Sequence, residues 1–298
     1  MTGGFEMAVN PCIYCGAEVP EGYGHVCPIC ETNIKNGVMP RNAVPAISAG
    51  CGQVSFPQGG TLRNRKFKPI YKPSGRAHEY GEYAINIYSG CDNGCYYCYA
   101  PKTLHTDRAE FERVKLRFGI VKAVWEQLST FPERGKTIAL CFTCDPYPRN
   151  IDSTPTRNII QAIKNSGNHV QILTKNPISR DFDIMDKNDW FGITLTCNDI
   201  AAANAEPGAL PPTERVLKLY EAHRAGLKTW ISLEPVISPE FCFGVIQHID
   251  ADLYRIGKLN YYHSEIDWKQ FGHKIEELCV RYRRNYYIKE DLRKEMQA

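Results

Sequence analysis

From about residue 83 the chain alternates short apolar runs with longer amphipathic stretches. The apolar runs are "YAINIY" (83–88), "TIALCF" (137–142), "HVQILT" (169–174), "WFGITL" (190–195), "KTWISL" (228–233) and "DLYRIG" (252–257). Each reads as a strand, and helix-like segments lie near 108–130, 153–166, 178–187, 211–225, 239–248 and 264–283. In "PPTERVLKLYEAHRAG" a proline precedes the helix, Val216, Leu217 and Leu219 supply apolar positions, and Gly226 stops it. Regular strand–helix alternation predicts a parallel sheet covered by helices. Six units fall short of a closed eight-stranded barrel. The expected fold is therefore α/β, a partial (β/α)6 TIM-like barrel over residues 81–298.

In such a fold functional side chains gather at the C-terminal ends of the strands. That rule selects the loop Cys91–Cys98, "TCDPY" (143–147), "TKNP" (174–177), "TLTCND" (194–199), "SLEP" (232–235) and "GKLN" (257–260). Alternation in "WFGITLTC" puts Gly192, Thr194 and Thr196 on one face, which is expected to line the barrel interior. Upstream the periodicity is lost. Residues 10–35 hold two C-x2-C pairs, and residues 36–80 are rich in Gly, Pro and basic residues and read as a linker or extended basic arm.

Composition narrows the class. With 43% hydrophobic and 23% charged residues, the 298-residue chain has the make-up of a soluble globular protein. No apolar run approaches the roughly 18 residues of a membrane span. The opening "MTGGFEMAVNPC" lacks the basic and apolar regions of a secretory signal, so a cytoplasmic location is expected. Thirteen cysteines, an odd number with seven in two tight clusters, favour reduced thiolates holding metal over a disulfide framework. A net charge of +3 does not by itself imply nucleic acid.

The first cluster is "INIYSGCDNGCYYCYAP" (85–101), where Cys91, Cys95 and Cys98 stand in C-x3-C-x2-C spacing directly after the first strand. Three thiolates at this spacing can hold three irons of a [4Fe–4S] cluster and leave the fourth free to chelate a small molecule. A zinc site completed by a distant ligand and three unconnected buried cysteines are the alternatives.

The motif, with Tyr97 before its third cysteine, resembles the radical S-adenosylmethionine enzymes. Within them, "GRAHEYGEYAINIYSGCDNGCYYCYAP" (75–101) is similar to the group of spore photoproduct lyase and "DNA repair photolyase" proteins. The likeness continues through "TCDPYPRNIDSTPTRNIIQAI", "ILTKNPISRDFDIM", "ITLTCND", "NAEPGALPPTERVLKLYEAHRAGL" and "GKLN", over roughly residues 75–260. It implies that S-adenosylmethionine binds the open iron and is reductively cleaved to a 5′-deoxyadenosyl radical, with electrons from an external donor of the flavodoxin or ferredoxin type. Tyr97 would then pack near the adenine, and Thr143, Cys144 and Asp145 would meet the methionine amino end. Lys175 would pair with the carboxylate. Thr194 or Thr196 would serve the ribose or carboxylate, and Ser232 and Glu234 the ribose hydroxyls or substrate. The lyase is expected to return hydrogen from a cysteine after its second strand. Cys141 and Cys144 lie close to that place, but neither matches it cleanly. Taken singly, Lys175, Asp145 and Thr194 also have ordinary structural readings as a loop lysine, a turn former and a strand residue.

The second cluster, Cys12, Cys15, Cys27 and Cys30, forms two C-x2-C knuckles that predict a four-thiolate zinc ribbon, with rubredoxin-like iron as the rival. A segment this short has no core of its own, so metal binding would supply its folding energy. Two stretches, "RNRKFKPIYKPSGR" (63–76) and "RYRRNYYIK" (281–289), mix basic and aromatic residues as nucleic-acid surfaces do, although solvated basic loops read the same way. The expected activity is radical hydrogen abstraction, on a nucleic acid for repair or modification. A peptide or small-metabolite substrate is the second hypothesis, and a catalytically idle, zinc-dependent nucleic-acid-binding protein the third. Cys51, Cys141, Cys144, Cys197, Cys242 and Cys279 are too scattered to suggest another cluster.

Overall fold

The computed structural model describes residues 68–298. The N-terminal cysteine pairs and residues 63–67 of the basic stretch 63–76 lie outside the described residues. Seven parallel strands form one curled sheet: β1 (Tyr83–Ile85), β4 (Thr137–Leu140), β5 (His169–Thr174), β6 (Trp190–Thr194), β7 (Lys228–Leu233), β8 (Leu253–Ile256) and β9 (Tyr286–Ile288), in that spatial order. Each neighbouring pair is parallel. A small antiparallel pair, β2 (Tyr88–Ser89) and β3 (Lys115–Leu116), follows β1. The partial barrel is thus the one the pattern predicts, with one strand more.

That extra strand falls within the stretch 281–289. Tyr286–Ile288 pair with Tyr254–Ile256, Lys289 is buried, and Arg284 donates to the Ile246 carbonyl at 2.8 Å. Ile288 and Lys289 serve packing, while Arg281, Tyr282, Arg283, Asn285 and Tyr287 stay exposed. Two helical expectations also change. Residues 108–130 are not one helix but α2 (Arg108–Phe111), strand β3 and α3 (Ile120–Ser129); the stretch 178–187 holds only a single 3-10 turn at Phe182–Ile184. Gly119, in the left-handed region at φ 65°, marks where the first of these breaks.

The remaining helices are α1 (Ala100–Leu104), α4 (Thr154–Asn165), α5 (Asp199–Ala205), α6 (Pro212–Arg224), α7 (Pro239–His248), α8 (Trp268–Arg281) and α9 (Glu290–Gln297). They begin on ordinary signals: prolines open α4, α6 and α7, and the Asn198 and Asp267 side chains cap α5 and α8. Helix α4 buries Ile159, Ile160 and Ile163 against the sheet. Strand β6 is buried on both faces because helices cover it outside and Trp230 fills the barrel inside. Gly192 makes that possible, since any Cβ there would collide with the Trp230 indole.

Residues 68–80 cross the open side of the sheet. Tyr71 makes an antiparallel bridge to Ala84 on β1, and Gln127 holds both backbone groups of Ile70. At the other end Arg76 reaches Tyr261 at 2.6 Å and Asp291 at 3.4 Å, and Glu79 accepts from Tyr287 at 2.9 Å and the Glu290 amide at 3.0 Å. The strap therefore links edge strand β1 to edge strand β9, doing sterically what an eighth strand would do with hydrogen bonds.

Candidate active site

The strand ends, the cysteine loop and the strap enclose a cavity of about 540 Å³. Cys91, Cys95 and Cys98 all line it, with Tyr97, Cys141, Thr143, Cys144, Asp145, Lys175, Thr194, Ser232 and Glu234. Of the site residues expected on this part of the chain, Thr196 alone stands outside the lining. Its hydroxyl is spent on Glu206 at 2.8 Å.

The cysteine loop is clamped from three sides. The Cys91 amide donates to the Phe111 carbonyl (2.9 Å), the Tyr96 amide to Ala205 (3.1 Å), and the Gly208 amide to Asn93 (3.0 Å). Arg108 grips the carbonyls of Cys95 and Tyr96 at 2.9 and 3.0 Å. Gly208 must be glycine, because a Cβ there would strike the Asp92 carbonyl. Such bracing suits a loop whose thiols must hold a fixed geometry.

Asp145 ties the loop to the sheet. Its oxygens accept from Thr174 Oγ1 (2.6 Å), the Lys175 and Tyr147 amides (both 2.9 Å) and Asn93 Nδ2 (3.1 Å). Burial pushes its carboxyl pKa up against the pull of those four donors. With both oxygens engaged, Asp145 acts on the cavity through the loops it joins. Asn86 does similar work nearby, accepting from the Phe142 and Thr143 amides at 2.8 and 3.0 Å.

Two residues that sequence reasoning passed over organise the cluster side. Arg215 is fully buried on the apolar stripe of α6, donating to the Leu210 and Thr194 carbonyls at 2.7 and 2.8 Å and pairing with Glu206. Glu206 also accepts from Thr196 and from the Tyr97 hydroxyl, fixing that ring in the cavity wall. The signal was present: Pro212, Arg215, Leu219 and Ala222 form the buried face, so an arginine sat at an apolar position. Of the apolar positions named above on this helix, Leu219 is buried and Leu217 is exposed.

Lys175 Nζ stands 5.4 Å from the Tyr97 ring centroid and makes no hydrogen bond or ion pair among the described residues. Burial works against its charge, yet Cys95 and Glu206 hold its pKa above the ordinary lysine value. The Cys95 thiol is pushed up to about 11 by burial, with Lys175 pulling the other way. Burial raises Cys91 further. Such thiols are neutral until a cation binds them.

The chemistry of the donors limits what that cation can be. A single tetrahedral ion with sulfur bonds of about 2.3 Å sets its thiolates roughly 3.8 Å apart. Among the described residues, the trio of possible ligands gathered within 4.8 Å is His169, Asp186 and Asp189, not the three cysteines. Two of that trio already hold the Lys164 ammonium, 2.8 Å from Asp186 and 2.7 Å from Asp189. The three thiols, spread more widely and lacking a histidine or a fourth cysteine in their own loop, fit a polynuclear iron–sulfur cluster with one unligated corner. Cys141 and Cys144, the other thiols of the cavity, are both free; burial, then a hydrogen bond with Cys144, raises the Cys141 pKa.

At the far end of the cavity, Glu234 accepts both contacts of Lys289 (2.9 and 2.8 Å) and the Tyr80 hydroxyl. Burial, then Glu234, drives the Tyr80 pKa well up. Arg255 lies over the rings of Tyr80 and Trp230, 5.1 and 5.5 Å from their centroids. The cavity thus has a thiol end and an aromatic, ion-paired end.

No family model matches the chain. The uncharacterized protein ORF301 of Acidianus two-tailed virus is 26% identical over 195 residues, which span 59% of this chain and 62% of that protein, less than two thirds of its length. Spore photoproduct lyase complexed with dinucleoside spore photoproduct superposes with a TM-score of 0.57 at 15% identity, over 75% of this chain and 79% of the lyase. A double mutant of the lyase with bound AdoMet and the same dinucleoside also gives 0.57 at 15% identity, over 88% and 93%. Streptococcus suis SuiB bound to S-adenosylmethionine gives 0.55 at 11% identity over 69% of this chain, which spans about half (49%) of SuiB. These likenesses establish a shared fold. No described helix is long and apolar enough to cross a membrane.

Proposed function

We propose that the protein is a radical S-adenosylmethionine enzyme, with Cys91, Cys95 and Cys98 holding a [4Fe–4S] cluster. The observation that carries this reading is the placement of three thiols of one braced loop and one unpaired ammonium, Lys175, around a single cavity. Held by Cys91, Cys95 and Cys98, such a cluster would supply the electron for reductive cleavage of S-adenosylmethionine. The chain's own part is to bind, orient and exclude water.

Lys175 presents a point charge to the methionine carboxylate, which would replace the hydrogen bonds its ammonium lacks. Tyr97, held by Glu206, offers an apolar ring edge to the nucleoside. Thr143, Thr194 and Ser232 offer hydroxyls along the wall. Asp145 and Thr196 act indirectly, through Asn93 and Glu206. Glu234 and Lys289 form the opposite end, where a substrate hydrogen would be presented. Cys141 and Cys144 stand in the wall as candidate donors for returning a hydrogen atom to the substrate. The barrel would open to a nucleic acid: two of the fold neighbours hold a dinucleoside photoproduct. A second metal site, zinc on Cys12, Cys15, Cys27 and Cys30, completes the proposal.

The test is anaerobic reconstitution with iron and sulfide, followed by dithionite and S-adenosylmethionine. The reading requires 5′-deoxyadenosine from the wild type and none from Cys95→Ala. Equal product from both sinks it.

A further inference from the structure

We infer that a basic groove on the outer side of the cysteine loop is the docking face for an acidic one-electron donor protein of the flavodoxin or ferredoxin type. The inference rests on the radical-enzyme reading above and adds the route by which the electron arrives.

The groove is a second concavity, of about 680 Å³. Its exposed charged lining is Lys68, Arg113 and Lys115 with Glu110, which pairs with Lys115 at 2.7 Å and Arg113 at 3.5 Å, so this part of the groove carries a net charge of +2. Apolar surface adjoins it. Leu104, 45% exposed, lines the groove, and Phe118, next to Arg117, is completely exposed at 101%. An unpacked phenylalanine beside a cluster of cations has the anatomy of a protein docking patch, an apolar anchor within a charged rim. A nucleic acid could also stack a base on Phe118, so it is position that favours an electron donor.

Position supplies the second argument. Ser89, Gly90 and Phe111 form a wall of the groove, and the next residue along is Cys91, whose amide donates to the Phe111 carbonyl at 2.9 Å. Tyr71, Phe111 and Thr143 line both the groove and the cavity, so the partition is one side chain thick. Electron transfer weakens steeply with distance, and a donor seated here would have its redox centre separated from the thiols by little more than that wall. Acidic partners are steered to such a patch from a distance, at rates that fall with salt. The transfer itself balances simply: the reduced donor loses one electron and the cluster gains it.

The test compares two reductants on the reconstituted full-length protein. Arg113→Glu with Lys115→Glu reverses two groove charges; neither residue touches the cavity. Phe118→Ser, at a site with no packing to lose, is the independent variant. Reduced flavodoxin should bleach the cluster's visible absorption at least about tenfold more slowly in the charge variant, and its binding, measured by calorimetry, should weaken by a similar factor. Bleaching by dithionite should match the wild type in both variants. Unchanged rates and unchanged binding with flavodoxin would overturn the proposal. So would loss of affinity for a single-stranded oligonucleotide while flavodoxin reduction stays intact, which would make the groove a nucleic-acid track. Because flavodoxin binding is read without turnover, a failure of docking is separable from a failure of the radical chemistry, which the dithionite arm reports.

Discussion

Replacing Arg215 by methionine isolates the most deeply buried charge near the site. Arg215 and Glu206 are both fully buried, and the guanidinium satisfies Glu206 and the Leu210 and Thr194 carbonyls at once. Methionine fills similar volume but leaves a carboxylate and two carbonyls without it. Breaking a buried pair from one side costs about 3–5 kcal/mol. With a urea m-value near 3 kcal/mol/M, the midpoint should fall by roughly 1–1.7 M. The pH dependence has a definite sign. In the wild type Lys175 and Arg215 hold the Glu206 pKa below its ordinary value, against burial, so its contribution is present above the unfolded value of about 4.5 and lost as pH falls through the lower folded value. Without Arg215 part of what holds it down is lost and the folded pKa rises. The deficit of the variant should then be smallest below about pH 4.5 and grow as pH rises above it. Urea titrations of the cofactor-free protein at pH 5 and pH 8 read both effects. A midpoint loss below about 0.3 M, or one equally large at both pH values, would refute the claim that this pair bears an uncompensated charge when split.

Lys175→Met should weaken S-adenosylmethionine binding by about 1.5–3 kcal/mol, roughly ten- to a hundredfold in Kd, while iron content stays at the wild-type level; equal affinity by calorimetry would remove Lys175 from the carboxylate. Gly208→Ala forces the Asp92 carbonyl aside and should cost about 1–3 kcal/mol in urea unfolding, with a lower yield of reconstituted cluster; wild-type stability and yield would mean the loop tolerates displacement. Cys27→Ala should cut the zinc content of protein expressed with zinc by about one ion per chain without altering dithionite-driven cleavage of S-adenosylmethionine; unchanged zinc would discard the ribbon.

The barrel was readable because its strands are apolar runs punctuated by turns, and Trp190–Thr194, Lys228–Leu233 and Pro239–His248 fall where the periodicity put them. The seventh strand was not, because Tyr286–Ile288 is only three residues long and sits among arginines, where charge outweighs pattern. Breaks in the stretch 108–130 depend on Gly119 and on pairing of Lys115 with Ser89, a long-range contact that no local window contains. At the site, the cysteine spacing announced itself, and the rule of strand ends selected residues that do line one cavity. Sequence could not tell which of these face a ligand and which hold their neighbours. Asp145 and Thr196 are spoken for by Asn93, Thr174 and Glu206, partners far away in sequence. Glu206 and Arg215 were missed because a buried ion pair looks, residue by residue, like surface charge.

The central claim is that the three thiols carry an iron–sulfur cluster with an open corner for S-adenosylmethionine. Electron paramagnetic resonance of the reconstituted, dithionite-reduced protein, recorded with and without S-adenosylmethionine, tests it most directly. The account predicts a reduced-cluster signal that changes shape when S-adenosylmethionine is added and is absent from Cys95→Ala. A signal indifferent to S-adenosylmethionine, or zinc as the metal held by Cys91, Cys95 and Cys98, would contradict it.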